Sequence, residues 1–221
     1  MTLTTQKLKI KEINGQLVQM ASLTEKQLYL SMLALKNHDL KVAEETILAD
    51  DKVDNLQKII EEECIKFIAT EQPLASDLRL VFTTTKIVTD LERMADYAVD
   101  ICKLNLSIIK DGLEEYNETA QLLWVMEEKV RKMVSLSIDA YIDLDEESAY
   151  EICKLDDEID SLYRTIFKNL LKTFKDDDSK TNSYARLLFV AKYLERVADH
   201  VTNICEWIIF SIKGTYVDLN E

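Results

Sequence analysis

The chain has 221 residues and a net charge of −14, and 47% of its residues are hydrophobic. Such a negative charge repels nucleic acid and anionic lipid headgroups, so neither is an expected partner, whereas a cation or a basic protein surface is favoured. With 3 glycines and 1 proline, the chain has too few turn residues for a β-sandwich or barrel, and its content of Leu, Ile, Lys, Glu and Ala is typical of helical bundles.

Turn-forming residues divide the chain into six segments with the apolar spacing of amphipathic helices. The predicted helices lie near 4–37, 39–71, 74–110, 114–142, 145–174 and 180–213. Asp39 and Asp145 are predicted N-caps, and Gly214 is a predicted C-cap. We therefore predict an all-α fold built as a tandem pair of antiparallel three-helix bundles. The first bundle would cover 1–112 and the second 113–221.

The cysteines and the N-terminus indicate a cellular location. None of Cys64, Cys102, Cys153 and Cys205 belongs to a Cys-x-x-Cys pair, and the chain opens without the apolar stretch of a secretory signal. The longest apolar run is far shorter than a membrane span. We expect a cytoplasmic protein with reduced core thiols and no direct membrane insertion.

An internal repeat links the two predicted bundles. The third helix contains "TDLERMADYAVDIC" at 89–102, and the sixth contains "KYLERVADHVTNIC" at 192–205, an offset of 103 residues. The second and fifth helices share "DDKVDNL" at 50–56 and "DDEIDSL" at 156–162, an offset of 106. A loop within the hairpin can absorb the difference of three residues. The pattern indicates an ancient duplication of a three-helix unit.

Each of these four helices carries an acidic stripe on the side opposite its apolar face. A residue advances about 100° around a helix, so acids four positions apart share a stripe. In the first half the stripes contain Asp50 and Asp54 on the second helix, and Glu92, Asp96 and Asp100 on the third. In the second half they contain Asp156 and Asp160 on the fifth helix, and Glu195, Asp199 and Asn203 on the sixth.

The turns place the acids of each antiparallel pair level with each other. Asp54 and Glu92 each lie 19 residues from Pro73, the only proline. In the second half the midpoint between Asp160 and Glu195 falls in the predicted loop at 176–179. Each hairpin thus aligns four carboxylates. The helical angles leave open whether the stripes face a shared groove or the outer flanks.

Four carboxylates in a groove would repel one another unless they were protonated or neutralised by a cation. Their oxygens suit Mg²⁺, Ca²⁺ and Mn²⁺, and also iron and zinc. On outer flanks they would simply be solvated. Arg93 and Arg196 are the expected internal counter-charges, and His200 is expected on a polar flank rather than as a ligand.

An enzyme is the less favoured alternative. The chain has no Gly-rich phosphate loop, nucleophile elbow or Cys/His dyad, and neither histidine completes the Glu-x-x-His motif of di-iron proteins. The interpretation is non-enzymatic, with a carboxylate-bridged metalloenzyme or a metal-storage helical bundle as the alternative.

The segments "QPLASDLRLVFTTTKIVTDLERMADYAVDI" and "LLFVAKYLERVADHVTNI" resemble the PhoU family, and the likeness extends over essentially the whole chain. The resemblance implies two three-helix bundles with multinuclear metal clusters on paired acidic motifs, most often of iron or zinc, with magnesium or manganese as further options. On this sequence the motifs are Asp50, Asp54, Glu92 and Asp96, and Asp156, Asp160, Glu195 and Asp199. Asp100 and Asn203 stand beside them and differ between the halves.

The same resemblance implies a role in phosphate homeostasis. It implies a cytosolic negative regulator of phosphate uptake and of the phosphate-starvation response, without catalytic activity. The implied partners are the ATPase subunit of the phosphate ABC transporter and a sensor histidine kinase. The resemblance leaves a homodimer open.

Overall fold

The computed structural model describes residues 3–113, 116, 118–176 and 181–219, with the side chains of 3, 4 and 173–176 left aside. Helices form nearly all of this part of the chain, which contains no β-strand. The helices are α1 (Leu3–Asn37), α2 (Leu40–Ala49), α3 (Asp51–Glu71), α4 (Ala75–Lys110), α5 (Glu118–Asp143), α6 (Glu146–Asp176) and α7 (Thr181–Lys213).

The six predicted helices are present, and the second one is interrupted at Asp50, which separates α2 from α3. The backbone of Asp50 stays near helical values, but its N–H bonds to Ile47 O, three residues back rather than four. Gln27 on α1 donates a hydrogen bond to the Asp50 carboxylate at 3.2 Å. The interruption therefore lies where the first acidic stripe begins.

Local sequence signals account for the other helix ends. Asp39 accepts a hydrogen bond from the Val42 N–H at 3.0 Å, and Asp145 accepts one from Ser148 N–H at 3.1 Å, so both predicted N-caps are confirmed. Gly214 ends α7 with φ +74°, a conformation that glycine adopts without steric cost. Pro73 lies in the short turn between α3 and α4. The predicted loop at 176–179 falls, apart from Asp176, outside the described residues.

Two antiparallel three-helix bundles result. The first contains α1, the α2–α3 pair and α4, and the second contains α5, α6 and α7. The bundles pack on each other mainly along α4 and α7, with α1 against α5. Most buried apolar side chains of both halves form one continuous core, so the repeats share a hydrophobic interior.

The repeated helices bury equivalent residues. Leu91 and Leu194, at matching positions, are both fully buried, and so are Cys102 and Cys205. All four cysteines are free thiols, with Cys64 also buried and Cys153 half-buried. Among the described helices, none is long and apolar enough to cross a membrane.

Candidate functional site

The ten acidic and amide residues predicted from the stripes are all half-buried. Asp51, which follows Asp50 in the chain, shows the contrast, because its side chain is exposed. The two acid stripes of each half influence each other across the helix pair: Asp96 on α4 raises the pKa of Asp50, and Asp199 on α7 raises that of Asp156. The stripes therefore face a shared groove rather than the outer flanks.

The second groove lies between α6 and α7 and encloses a cavity of about 600 Å³. All four predicted carboxylates of this half line it. The complete lining is Cys153, Asp156, Asp157, Asp160, Arg164, Glu195, Asp199 and Leu219. The cavity is larger than a single ion would occupy.

Burial and mutual repulsion perturb the acids of the second groove. Burial raises the pKa of Asp156 to about 6, and the charges of Asp199 and Asp160 add to the effect. One oxygen of this carboxylate, Oδ1, is buried without a hydrogen-bond partner. Burial also raises the pKa of Asp199, with a contribution from Glu195. A buried anionic oxygen without a partner is costly unless a proton or a cation reaches it.

The first groove, between α3 and α4, is built from the same residue types. Burial raises the pKa of Asp50, although the hydrogen bond from Gln27 opposes that rise. Burial also raises the pKa of Glu92, and Asp96 and Asp54 contribute through their charges. The carboxylates of this half thus repel each other as those of the second half do.

Basic side chains neutralise part of each groove. Arg93 lies 3.5 Å from Glu92 and 3.4 Å from Asp96, as predicted. In the second half Lys192, which was not predicted, pairs with Glu195 at 2.5 Å. Arg196 lies over the ring of Tyr97 at 6.0 Å and interacts with the charge of Glu195 as a smaller contribution. The i, i+3 spacing of Lys192 and Glu195 could have revealed this pair in the sequence.

Two further ion pairs were not anticipated. Arg164 contacts Asp160 at 2.5 Å, and Lys103 contacts Asp100 at 2.9 Å. Asp100 therefore stands at the edge of the first groove with its own cation. Its counterpart Asn203 is half-buried on α7 and does not line the second cavity. Asp100 and Asn203, the third residues of their stripes, therefore take less part in the grooves than the first two residues do.

The side chains as they stand do not yet form a coordination sphere. Within the described ranges, no group of three or more His, Cys, Asp or Glu side chains is arranged to hold one metal ion. The carboxylates instead surround an open space and pair with lysine and arginine. Ion binding in these grooves would require the side chains to turn inward and release their basic partners.

Sequence reasoning missed four residues that line the second cavity, namely Cys153, Asp157, Arg164 and Leu219. Cys153 lies one turn before Asp156 and also hydrogen-bonds with the Cys205 thiol, which raises the pKa of Cys205. Leu219 comes from the segment after α7, where its N–H donates to Glu206 at 2.8 Å. No short-range pattern places a C-terminal residue against a groove that is formed by two helices.

His200 lies on the α4–α7 contact instead of in a groove. Its Nδ1 is 2.8 Å from the buried carboxylate of Asp90. The repeat relates this pair to Tyr193 and Tyr97, whose rings stack at 5.4 Å across the same helices. One side of the contact is therefore polar and the other aromatic.

These features define a class: an all-α tandem-repeat protein with a carboxylate-lined groove in each half. The family model of the PhoU domain matches the chain twice, at residues 17–104 and 123–208. The chain therefore belongs to the PhoU family. The two matches also show that the internal repeat is a repeat of this domain, whereas the predicted boundary between 112 and 113 stays a prediction.

Relatives and solved structures extend the match to nearly the whole chain. It is 46% identical to the phosphate-specific transport system accessory protein PhoU homolog of Clostridium acetobutylicum, over 96% of each chain. It is 32% identical to the accessory protein PhoU of Escherichia coli K12, over 93% of this chain and 84% of that one. The crystal structure of PhoU from Pseudomonas aeruginosa superposes with a TM-score of 0.88 at 29% identity, covering 95% of this chain and 99% of that one.

Proposed function

We propose that this protein is an accessory protein of phosphate-specific transport that represses phosphate uptake and the phosphate-starvation response from the cytoplasm. The observation that carries the proposal is the 46% identity, over 96% of both chains, to a relative with that accessory role in its name. Similarity at this level includes both repeats and all four acidic helices. The names of the relatives describe accessory proteins rather than enzymes, which supports a non-catalytic role.

The proposed mechanism is that of an adaptor. The protein would contact the ATPase subunit of the phosphate transporter and a sensor histidine kinase, so that the kinase responds to the state of the transporter. The charge of −14 supports protein partners with basic surfaces over nucleic acid.

A deletion strain tests the regulatory role. In a strain of the source organism that lacks this gene, phosphate-uptake genes should be expressed in phosphate-rich medium, and a plasmid copy should restore repression. Transcript levels of the transporter genes are the measurement. Normal repression in the deletion strain would overturn the proposal.

We also propose that each groove holds metal ions, iron or zinc first and magnesium or manganese second. The donor set fits, because four half-buried carboxylates lie together in each groove and Asp156 Oδ1 is buried without a partner. Burial and the charges of neighbouring acids raise the pKa of Asp156 to about 6. A bound cation would supply positive charge that offsets this repulsion and reverses the local potential. Asp50, Asp54, Glu92 and Asp96 would hold it in the first half, and Asp156, Asp160, Glu195 and Asp199 in the second.

Elemental mass spectrometry on untagged protein tests the metal proposal. The variants are Asp50→Asn/Glu92→Gln/Asp96→Asn for the first groove and Asp156→Asn/Glu195→Gln/Asp199→Asn for the second. Each should lose the metal of its own half only. The matched control, Asp51→Asn/Glu151→Gln, changes exposed acids on α3 and α6 that do not line the second cavity, and it should retain full metal content. If the parent protein contains no metal after incubation with Fe²⁺, Zn²⁺, Mn²⁺ and Mg²⁺, the proposal fails.

A further inference from the structure

Aromatic side chains cluster where the first turns of α4 meet the end of α7. Phe82 lies 6.0 Å from Trp207, and Tyr216 lies 5.8 Å from Trp207 and stacks on Phe210 at 4.4 Å, measured between ring centroids. We name these four residues the aromatic platform. Its residues come from three elements that contact one another: α4, α7 and the segment that follows α7.

Much of the aromatic platform is open to solvent. Phe82 is 39% exposed and Tyr216 is 68% exposed. Leu78, one turn before Phe82 on the same side of α4, is 41% exposed and extends the apolar surface, and Leu74, which precedes the helix, is 73% exposed. A contiguous exposed apolar surface of this kind marks an interaction site more often than isolated exposed residues do.

The fold itself does not require this platform, as the repeat shows. The offset of 103 relates α4 to α7 and provides an internal comparison. At the equivalent positions, Phe82 is replaced by Ala185, Trp207 by Leu104 and Phe210 by Ser107. The buried positions of the two helices nevertheless match, for example Leu91 with Leu194. The three aromatic residues that α4 and α7 contribute to the platform thus have no aromatic counterpart at the equivalent positions, although Phe189 takes the position of Lys86.

Two basic side chains, Arg79 and Lys86, border the platform on α4, in a chain with 41 acids and 27 lysines and arginines, whereas the acids Glu206 and Asp218 adjoin it on α7 and on the segment that follows. The Nζ of Lys86 lies 5.3 Å from the Phe82 ring and 5.5 Å from the Trp207 ring. Arg79 donates from Nε to the Ser211 carbonyl at 3.3 Å, which ties this side chain to the end of α7. The acid of this stretch of α4, Asp77, lies about 140° around the helix from Phe82.

We propose that the aromatic platform, with Arg79 and Lys86, docks a helical segment of another protein that presents large apolar side chains flanked by carboxylates. The proposal rests on the adaptor role proposed above and names the surface through which it would act. Two alternatives fit less well. A symmetric contact between two copies would set Arg79 and Lys86 against the same two cations. An anionic membrane would be repelled by the charge of −14.

Fluorescence anisotropy with two labelled peptides tests the proposal. Both are amphipathic helices of about 18 residues, or five turns, with Leu and Phe on one face. One has Glu along the edges of this face and its twin has Lys at the same positions. The Glu peptide should bind at least about tenfold more tightly than its twin, and Arg79→Glu/Lys86→Glu should reverse the preference.

Two further variants locate the binding. Phe82→Ala should weaken binding of the Glu peptide at least about tenfold. Phe189→Ala, which removes a phenylalanine that is 56% exposed on α7 outside the platform, should leave binding unchanged. Circular dichroism checks that all variants remain folded.

Several results would overturn the docking proposal. These are equal affinity for both peptides, no binding of either one, binding to phosphatidylserine vesicles that Phe82→Ala abolishes, or a dimer that Phe82→Ala dissociates. None of these results bears on the deletion-strain test, so failure of the docking surface and failure of the regulatory role are distinguishable.

Discussion

The two carboxylate grooves have the same motifs but different surroundings. In the first, Gln27 from α1 donates a hydrogen bond to Asp50 and moderates the rise in its pKa. In the second, the equivalent Asp156 has a buried oxygen without a partner and a pKa raised to about 6. The repeat preserved the spacing of the acids, whereas the neighbouring elements set the electrostatic cost of each groove. Substitutions at paired positions can separate these two contributions.

We expect the largest loss of stability from substitutions in the core, and we expect equivalent substitutions in the two halves to cost similar amounts. Leu91→Ala and Leu194→Ala each remove a fully buried side chain at matching positions. Each should lower the free energy of unfolding by about 2–5 kcal/mol, through lost burial and the cavity that remains. Urea unfolding followed by circular dichroism measures both. A difference of more than about 3 kcal/mol between the two variants in the free energy of unfolding would show that the two halves are not packed equivalently.

Substitutions on the polar side and on the aromatic side of the contact between the halves should lower the free energy of unfolding by different amounts. His200→Phe keeps a ring beside Tyr97 but removes the hydrogen bond to Asp90, which leaves a buried carboxylate without this partner. We expect a loss of about 1–3 kcal/mol in urea unfolding. Adding Asp90→Asn should recover part of the loss, because an uncharged amide costs less to bury. Tyr97→Phe, which preserves the stacking with Tyr193, should cost less than His200→Phe.

Asp156→Asn should stabilise the metal-free protein at neutral pH. A carboxyl with a raised folded-state pKa binds protons more tightly in the native state, so its contribution becomes unfavourable as pH rises from about 4 through about 6. At pH 7.5 the free energy of unfolding of the variant should exceed that of the parent protein by about 1–2 kcal/mol. This is less than the shift in pKa alone would give, because the side chain is partly exposed. The gain should disappear near pH 4.

The equivalent substitution in the first groove, Asp50→Asn, provides a comparison for the pH dependence of Asp156→Asn. Asp50→Asn should gain less, because Gln27 already hydrogen-bonds this carboxylate. Glu151→Gln, at an exposed acid on α6 that does not line the second cavity, serves as the control and should show no such gain. A flat profile for Asp156→Asn between pH 4 and 8 would contradict the electrostatic difference between the grooves.

The helix caps should give the smallest effects. Asp39→Ala removes the N-cap of α2 and should cost about 1 kcal/mol. Asp145→Ala removes that of α6, where hydrogen bonds from Ser148 hold the pKa of Asp145 below its usual value. Its stabilisation is therefore present at neutral pH and is lost as pH falls through that lowered pKa. Thermal unfolding at pH 7 and pH 3 checks both caps.

The sequence by itself determined the helices, their caps, the tandem repeat and the pairing of the acids about Pro73. These features depend on local periodicity and on turn residues, which short stretches of chain encode directly. The break at Asp50 did not follow from local pattern. The residue keeps near-helical backbone angles and is contacted there by Gln27, which lies 23 positions earlier in the chain.

Only the tertiary structure decided which way the acidic stripes face and what surrounds them. Helical angles are the same for a groove and for two outer flanks, so packing of α3 on α4 and of α6 on α7 had to choose between them. Contacts between elements distant in sequence likewise place Leu219 at the second cavity and form the exposed platform around Phe82. Local periodicity fixes the face on which a residue lies, but its neighbours depend on how the faces pack.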